Sequence, residues 1–520
     1  MNFFSLSFVG AVCGALLIYY LVPMKYRWYV LLGVSLAFYL AGGLSAGLFL
    51  LFTAGTNYIG GLLLSRLNDR KGSLSPEQKK TEEQRIKTLK KWVLVPILLL
   101  NFGLLYMVKY WNFTAEAIGK AVGGNSLPRL DWIMPVGLSF YMFQSVGYLV
   151  DCYRGKYQAE RNFLKFSLFV SFFPQMVQGP ISRFDQLQPQ LIRGNAWNAD
   201  NVKYGIQLAL WGYLKRMLIA DRAAVVVNAV FDAPEQYGGF FYAFAVLFYC
   251  VQLYCDFSGG IDITRGVARM FGIELAENFK RPAFATSLAD YWRRWHITLG
   301  SWMRDYVFYP LSFSKLFSNL GRWARKHFKG KVGKVIPTAA ATFVVYLIIG
   351  IWHGANFRYI AYGFYNGIIL TSSVLLANSY IQWKKKLRID DRSPRFKAFA
   401  ILRTTAIVFV GRYITRAPRF LVALNMLKKT LFSPCFYQLR DGTIGNFGLS
   451  LTDYLVVLLG CAVLFFLEWK TEQGTDLRKE LETKHPAVQW LCLFLPLVLL
   501  CIFGIFRGSG VRVEFIYQQF

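Results

Sequence analysis

Long apolar runs recur from one end of the chain to the other, and they constrain its fold more than any other feature. Runs of about 18 residues or more have the length of a helix that crosses a bilayer. In lipid every backbone N–H and C=O must be satisfied internally, which favours helices over open strands. The sequence therefore predicts an all-α polytopic membrane protein with about 11 to 13 transmembrane or re-entrant helices. We place these helices near residues 3–23, 28–43, 46–64, 92–111, 132–151, 163–180, 204–228, 238–258, 335–352, 357–377, 397–414, 451–468 and 487–506.

The composition agrees with a single transmembrane domain over residues 1–520. Hydrophobic residues make up 55% of the chain and charged residues only 17%, whereas soluble proteins carry about 25% charged residues. We find no clear internal repeat, which weakens a transporter interpretation. The first basic residue is Lys25, so the first apolar run lacks the basic start of a signal peptide and is expected to be a retained helix.

The net charge of +30 comes from basic residues that are concentrated in a few polar stretches. We interpret 65–91, 314–334 and 384–397 as basic cytoplasmic loops, because cytoplasmic loops of membrane proteins carry an excess of Lys and Arg. Three predicted spans precede the first of these loops, which places the N-terminus outside. The loops are suited to contact anionic lipid of the bilayer, and their distribution does not indicate a nucleic-acid partner.

The cysteines and acids do not suggest a metal centre. Eight cysteines lie mostly within or beside apolar runs, and none forms a C-x-x-C pair. We interpret them as small apolar core residues, without a disulfide framework or a zinc site. Asp256, Asp262 and Asp290 alternate with apolar positions and lack the spacing of metal ligands, so no metal is expected.

Residues 255–313 do not fit a simple span. The segment mixes glycine, charged and aromatic residues. It is too polar for a lipid-facing helix and too aromatic for a free loop. Such segments are tolerated at membrane depth when they are packed in protein or line a wet cavity. We therefore predict that 255–313 lines a cavity.

Two of the four histidines lie beside Trp, in or near the apolar runs. A charge at the bilayer centre costs about 2.5–3.5 kcal/mol or more, so an ionisable residue there is a candidate for function. His353 closes the apolar run 346–352 and is suited to general-base catalysis, which contributes about 10²–10⁴-fold. The alternative is a core histidine whose ring is satisfied by a neighbouring carbonyl.

The second histidine, His296, follows a segment rich in Arg and Trp. On a helix, Trp292 and His296 would share one face at i,i+4 spacing. Arg294, Arg304 and Asp305 are nearby in the sequence, and arginine clusters bind phosphate with a bidentate fork. The functional interpretation is a cytoplasm-facing pocket for a phosphate-bearing donor, and the alternative is an interfacial belt of Trp and Arg.

Several strings resemble the membrane-bound O-acyltransferase (MBOAT) family, in the same order and nearly from end to end. They read Met134-Pro-Val-Gly-Leu-Ser-Phe-Tyr141, Gly179-Pro-Ile-Ser-Arg-Phe184, Lys215-Arg-Met-Leu-Ile-Ala-Asp221, Glu277-Asn-Phe279, Tyr291-Trp-Arg-Arg-Trp-His296, Trp302-Met-Arg-Asp-Tyr306, Trp352-His-Gly-Ala-Asn-Phe357 and Phe515-Ile-Tyr-Gln-Gln-Phe520. The likeness is strongest to the bacterial alginate O-acetylation branch. Two strings depart from the family, since Phe364-Tyr-Asn-Gly367 stands where relatives read Trp-His-Gly, and Arg412-Tyr-Ile-Thr-Arg416-Ala stands where they read Trp-x-Phe-Phe-Arg-Ala.

The resemblance implies a ring of helices around a thin central partition, with cytoplasmic and outer cavities. It implies that His353 and His296 are the catalytic residues. His353 is expected to be the base or proton carrier for acyl transfer, and His296 to orient the donor thioester or its carbonyl. Asn356 is expected to donate to the developing oxyanion. The expected substrate-binding residues are Arg294, Trp295, Trp292, Trp352, Asn356, Arg304 and Asp305.

The function that the resemblance implies is transfer of an acetyl group from acetyl-CoA, with no tightly bound cofactor, across the bacterial cytoplasmic membrane. The acceptor is expected to be an exported polysaccharide, acetylated directly or through an extracellular, membrane-associated partner acetyltransferase. Within the family, the alternative is D-alanyl transfer to teichoic acid from a carrier protein. An alternative of another class is a conduit that passes an acyl donor outward without making or breaking bonds.

Overall fold

The computed structural model describes residues 5–72, 76–123, 127–132, 135–176, 178–328 and 330–505. Within these ranges the regular structure is helical, apart from one isolated β-bridge between Phe279 and Trp295. The prediction of an all-α protein is confirmed. Position 134 and residues 515–520, which belong to family-like strings, lie outside the described residues.

The chain divides into two compact units, and the first comprises residues 1–209 and 260–276. A buried pair of side-chain amides joins two of its long helices, because Asn57 donates to Asn101 at 3.1 Å. Hydrogen bonds between buried side chains hold helices together where no water competes for the same groups. The helices of this unit are α1 (Leu6–Leu21), α2 (Arg27–Leu40), α3 (Leu44–Gly72), α4 (Pro76–Lys109), α5 (Trp111–Val122), α6 (Leu138–Arg154), α7 (Phe163–Ser171), α8 (Phe173–Met176), α9 (Phe184–Ile192) and most of α10 (Ala199–Leu214).

The second unit comprises residues 210–259 and 277–520. Two π-helical segments interrupt its helices, at Lys215–Ala220 and Arg304–Phe308. Segments of this kind are rare and occur frequently at functional sites. The helices are α11 (Asp221–Asp232), most of α12 (Gly239–Met270), α13 (Leu288–Arg294), α14 (Ile297–Met303), α15 (Tyr309–Ser312), α16 (Lys315–His327), α17 (Val332–His353), α18 (Phe357–Leu375), α19 (Ala377–Lys386), α20 (Pro394–Arg416), α21 (Phe420–Phe432), α22 (Leu451–Glu472), α23 (Leu477–Glu482) and α24 (Pro486–Phe503).

Seven helices in the described residues are long and apolar enough to cross a bilayer, namely α3, α4, α12, α17, α20, α22 and α24. The pair α18 and α19, bent by 63°, makes an eighth if it is one span. The chain is therefore a multi-pass membrane protein. The count is below the expected 11 to 13 because several apolar runs form shorter helices. The run 163–180 is not one span as predicted, since α7 stops at Ser171 and the four-residue α8 follows.

The basic stretches are largely helical. Residues 65–72 complete α3, and α4 begins at Pro76. Lys71 and Glu83 form an ion pair of 2.6 Å between these two helices. The stretch 314–334 contains α16, which Ser314 caps by accepting a hydrogen bond from the backbone N–H of Phe317. The cytoplasmic location of these stretches remains a prediction.

Candidate active site

The segment that leads to His296 is tied to a strand-like stretch just before it. The backbone N–H of Lys280 donates to the carbonyl of Arg294 at 2.9 Å, and that of Ile297 donates to the carbonyl of Asn278 at 3.0 Å. These bonds flank the isolated bridge between Phe279 and Trp295. They hold the backbone on both sides of His296, which a free loop would leave mobile.

His296 stands in a conformation that is unusual for its residue type. It precedes α14 with φ of 48° and ψ of 53°, in the left-handed region. Non-glycine residues rarely adopt this region, and strained backbone of this kind clusters at functional sites. Its side chain is 1% exposed. Burial lowers the pKa of His296 well below its ordinary value, and a charge on His353 lowers it further. Because the charged form is disfavoured, the imidazole is neutral near neutral pH.

Asn278 determines which nitrogen of His296 carries the proton. Its Oδ1 accepts from the Thr298 backbone N–H at 3.0 Å and from the Thr298 hydroxyl at 2.9 Å. A backbone N–H can only donate, so the Asn278 atom at this position is the oxygen. The same oxygen lies 3.3 Å from Nδ1 of His296. Nδ1 must therefore be the donor, and the neutral ring carries its lone pair on Nε2.

The two candidate histidines meet around one indole ring. The ring centroid of Trp352 lies 5.9 Å from that of His296 and 5.1 Å from that of His353. Phe257, from α12, packs edge-on against His296 at 4.9 Å. The structure therefore brings together residues that are 57 positions apart in the sequence.

His353 is the last residue of α17 and is partly buried. Its ring centroid lies 6.3 Å from that of Tyr359 and 6.2 Å from that of Tyr362, both on α18. Close approach of α17 and α18 requires glycine. A Cβ on Gly354 would lie 2.7 Å from the Tyr359 ring, and one on Gly350 would lie 2.7 Å from the Cα of Gly363. The glycines allow the helix that ends in His353 to pack directly against its neighbour.

The other predicted site residues have structural partners. Trp295 is buried and stacks on Tyr291, with ring centroids 5.6 Å apart. Arg294 binds Glu472 with two nitrogens, at 2.9 and 3.0 Å, and also contacts Asp290 at 3.1 Å. Two carboxylates therefore already neutralise this guanidinium, which weakens its attraction for a phosphate.

Trp292 and Asn356 also take part in local packing. The indole N–H of Trp292 donates to Oδ1 of Asn366 at 3.2 Å. Asn356 caps α18, because its Oδ1 accepts from the Arg358 backbone N–H at 3.0 Å. This use of the oxygen leaves the amide N–H₂ of Asn356 as the group that can donate to a substrate.

Arg304 and Asp305 form an ion pair with each other at 3.0 Å, and the Arg304 side chain is 58% exposed. Both lie in the second π-helical segment. They are thus on an accessible surface, unlike His296 and Trp295.

Sequence reasoning assigned no role to Asn278 and Asn366. Asn278 lies in the family-like string 277–279. It could have been selected as a candidate because it is a polar residue in a segment that was expected to line a cavity. Asn366 is in the string 364–367, which departs from the family-like pattern. Its partner, Trp292, is distant in sequence, and no local pattern indicates the bond between them.

Comparison with known proteins agrees with a multi-pass membrane protein and identifies its family. The model of the membrane-bound O-acyltransferase family matches residues 74–378. The probable alginate O-acetylase of Pseudomonas syringae pv. tomato is 29% identical over 78% of this chain and 73% of its own length. The peptidoglycan O-acetyltransferase of Helicobacter pylori is 30% identical over 53% of this chain and 54% of its own. The teichoic acid D-alanyltransferase of Bacillus subtilis is 27% identical over 60% and 74%, respectively.

A multi-pass helical membrane protein with two histidines around a buried indole fits a membrane acyltransferase. The family match covers more than half of the chain, and the chain belongs to the membrane-bound O-acyltransferase family. Its activity is that of an O-acyltransferase. The resemblance noted in the sequence is confirmed.

Proposed function

We propose that the protein moves an acetyl group from acetyl-CoA to a hydroxyl of an exported polysaccharide, directly or through an extracellular partner acetyltransferase. The observation that carries the proposal is the meeting of His296 and His353 around Trp352. The names of similar proteins, an alginate O-acetylase and a peptidoglycan O-acetyltransferase, support an acetyl donor and a polysaccharide acceptor.

In the proposed reaction His353 acts as the general base. The acceptor hydroxyl attacks the thioester carbonyl carbon while His353 takes its proton. The C–S bond then breaks, and the proton on His353 passes to the leaving thiolate, which gives the ester and free CoA. General-base assistance of this kind contributes about 10²–10⁴-fold. The amide N–H₂ of Asn356 is proposed to donate to the oxyanion that forms on the carbonyl oxygen.

His296 is proposed to orient the donor. Its Nδ1–H is directed at Asn278, so in the neutral ring Nε2 accepts a hydrogen bond. A hydrogen-bond acceptor at this position can bind a hydroxyl or an amide N–H of the acyl donor. It cannot bind the thioester carbonyl oxygen, which is itself an acceptor. We therefore assign to His296 the orientation of a donating group on the substrate.

The aromatic and charged residues are proposed to shape the donor pocket. Trp352 packs beside His296, Phe257 contacts the rings of both Trp295 and His296, and Trp292 is held by Asn366. Arg294 is proposed to support the pocket wall through Glu472. The exposed Arg304, paired with Asp305, is the better placed guanidinium for the phosphates of acetyl-CoA, because it is accessible.

We propose that the protein lies in the bacterial cytoplasmic membrane with its N-terminus outside. The basic stretches 65–91, 314–334 and 384–397 then face the cytoplasm, where the donor is. A thin central partition between a cytoplasmic and an outer cavity is part of this proposal, because acyl transfer across the membrane needs access from both sides.

The test compares wild type with His353→Ala at equal membrane abundance, and measures ester-linked acetate on the exported polysaccharide. We expect loss of acetylation, and wild-type acetylation in the variant would refute the catalytic assignment. His327→Ala is a matched control, since His327 is exposed and bonded only locally, to the carbonyl of Trp323.

The similarity to a teichoic acid D-alanyltransferase supports D-alanyl transfer from a carrier protein as a second candidate. Incubation of purified protein with labelled acetyl-CoA or with a D-alanylated carrier protein separates the two. If neither donor is consumed, with or without a partner, the protein is a conduit and not a catalyst. Consumption of acetyl-CoA alone supports the first proposal.

A further inference from the structure

A cavity of about 260 Å³ lies among α12, α20, α22 and the segment around α13. Its wall is mainly apolar and includes Val251, Trp295 and Leu464. Thr404, Val408 and Arg412 line it from one face of α20, at i, i+4 and i+8. Eight residues of helix correspond to about 12 Å, so the cavity has the length of a short chain molecule.

Arg412 places a positive charge at this cavity without a carboxylate partner. The residue is 5% exposed, and its Nε–H has no hydrogen-bond partner among the described residues. Its Nη2 donates to the hydroxyl of Tyr291 at 2.6 Å, and its guanidinium lies 5.2 Å from the Trp295 ring centroid. No ion pair joins Arg412 to an acid in the described part of the chain. Arginine cannot lose its proton in a protein, and a buried charge without a counter-charge is costly.

The acid in the wall of the cavity does not supply that counter-charge. Glu468 accepts a hydrogen bond from the hydroxyl of Tyr254. Tyr254 lies one turn along α12 from Cys250, whose thiol is within hydrogen-bonding contact of Arg412. No ion pair joins Glu468 to Arg412 within the described ranges, so the charge of Arg412 is not balanced by this carboxylate. Glu468 repels an anion and Arg412 attracts one, so an anionic group in this cavity is most favourable beside Arg412.

The exposed residues that line the cavity include side chains of two candidate membrane spans. Among its lining residues, Ala283, Thr405 and Phe465 are exposed, and Phe465 is 58% accessible. Thr405 is near the middle of α20 and Phe465 is in the second half of α22, both of which are candidate membrane spans. A ligand that enters between them comes from the hydrocarbon layer, where apolar chains are concentrated.

We propose that this cavity binds a single-chain carboxylate of the fatty-acid type, with its carboxylate on Arg412 and its chain along α20. One negative charge balances one guanidinium, whereas a phosphate monoester carries about −1.5 to −2 and leaves an excess charge buried. A phosphodiester lipid with two chains does not fit about 260 Å³, which is below the usual range of about 300–1,000 Å³ for ligand sites. This inference does not depend on the proposed acetyl transfer.

The test measures binding of radiolabelled decanoate to the full-length protein in nanodiscs, with decanol and decyl phosphate as matched probes. We expect saturable binding of decanoate to wild type, and at least tenfold weaker binding to Arg412→Met. Decanol is expected to bind equally weakly to both proteins. Decyl phosphate is expected to bind less tightly than decanoate to wild type.

A second variant keeps the test informative if Arg412→Met does not fold. Thr405→Trp places a large ring at the opening without changing any charge, and is expected to weaken decanoate binding at least tenfold. Leu402→Trp is the control, because Leu402 is on the same helix, 69% exposed and outside the cavity. Decanoate binding that is equal in wild type and Thr405→Trp, or decanol binding as tight as decanoate binding, would overturn the proposal. So would tighter binding of decyl phosphate.

Discussion

The Nδ1 atom of His296 lies 3.3 Å from the Oδ1 atom of Asn278, and the Thr298 backbone N–H identifies that atom as an acceptor. This relationship assigns the proton of the neutral imidazole to Nδ1 and the lone pair to Nε2. Hydrogen bonds from the second nitrogen of a histidine commonly determine its tautomer in this way. Asn278 is therefore a positioning residue for His296, and its substitution has consequences that can be measured.

Asn278→Asp is expected to change the pH profile of acyl transfer. In wild type, burial lowers the pKa of His296 well below its ordinary value, so the ring is neutral, and its protonation does not limit activity, near neutral pH. A carboxylate at position 278 stabilises the imidazolium and raises that pKa. The acid limb of kcat/KM should therefore move to higher pH, with activity recovered as pH rises. Thr298→Val, which removes the second donor to Asn278, is the control and should leave the limb in place. An unshifted limb in folded Asn278→Asp would contradict the role of Asn278 as a positioning residue for His296.

The bond from Trp292 to Asn366 is expected to stabilise the second unit. Asn366→Leu leaves the indole N–H without its acceptor, and loss of one partner of a buried hydrogen bond costs about 1–3 kcal/mol. Trp292→Phe removes the donor and keeps an aromatic ring. Thermal unfolding of both single variants and of the double variant gives their coupling energy. Fully additive effects would show that the bond contributes nothing.

Substitution of Gly350 is expected to separate α17 from α18. A Cβ at this position would lie 2.5 Å from the Tyr359 carbonyl oxygen and 2.7 Å from the Cα of Gly363. Both atoms are backbone, so the helices must move, and overpacking of this kind costs about 1–3 kcal/mol. Because α17 ends at His353, Gly350→Ala should also lower activity. Gly10→Ala is the matched control, since nothing lies within 4 Å of a Cβ there. Equal melting temperatures and activities of the two variants would refute this account.

The bidentate pair of Arg294 and Glu472 is expected to matter more than surface ion pairs. Their side chains are 21% and 15% exposed, and Glu472 also binds Arg281 at 2.7 Å. Glu472→Gln leaves Arg281 without its carboxylate and Arg294 with Asp290 alone, and should destabilise the protein by about 1–3 kcal/mol. Lys479→Ala removes an exposed pair with Asp476 and should cost less than about 0.5 kcal/mol. The measurement is thermal unfolding in detergent, and similar losses for both variants would contradict the expectation.

The amino-acid pattern was sufficient to predict the class of the protein and its two principal candidate catalytic residues. Long apolar runs predict membrane helices, because an apolar segment in lipid must form its backbone hydrogen bonds within itself, and a helix does this. The histidines at 296 and 353 stand out because ionisable groups are rare in such segments. The run 163–180 was misjudged because hydrophobicity alone does not distinguish one span from two short buried helices.

What the sequence by itself determined is an all-α membrane acyltransferase with His296 and His353 as its candidate catalytic residues. Only the tertiary structure decided which side chains surround them. Asn366 reaches Trp292 from 74 residues away, and Glu472 reaches Arg294 from 178 residues away. Periodicity shows which face of a helix is buried, but not which helix packs against that face. Those pairings follow from the close fit of whole helices, which depends on shape and on glycine positions such as Gly350.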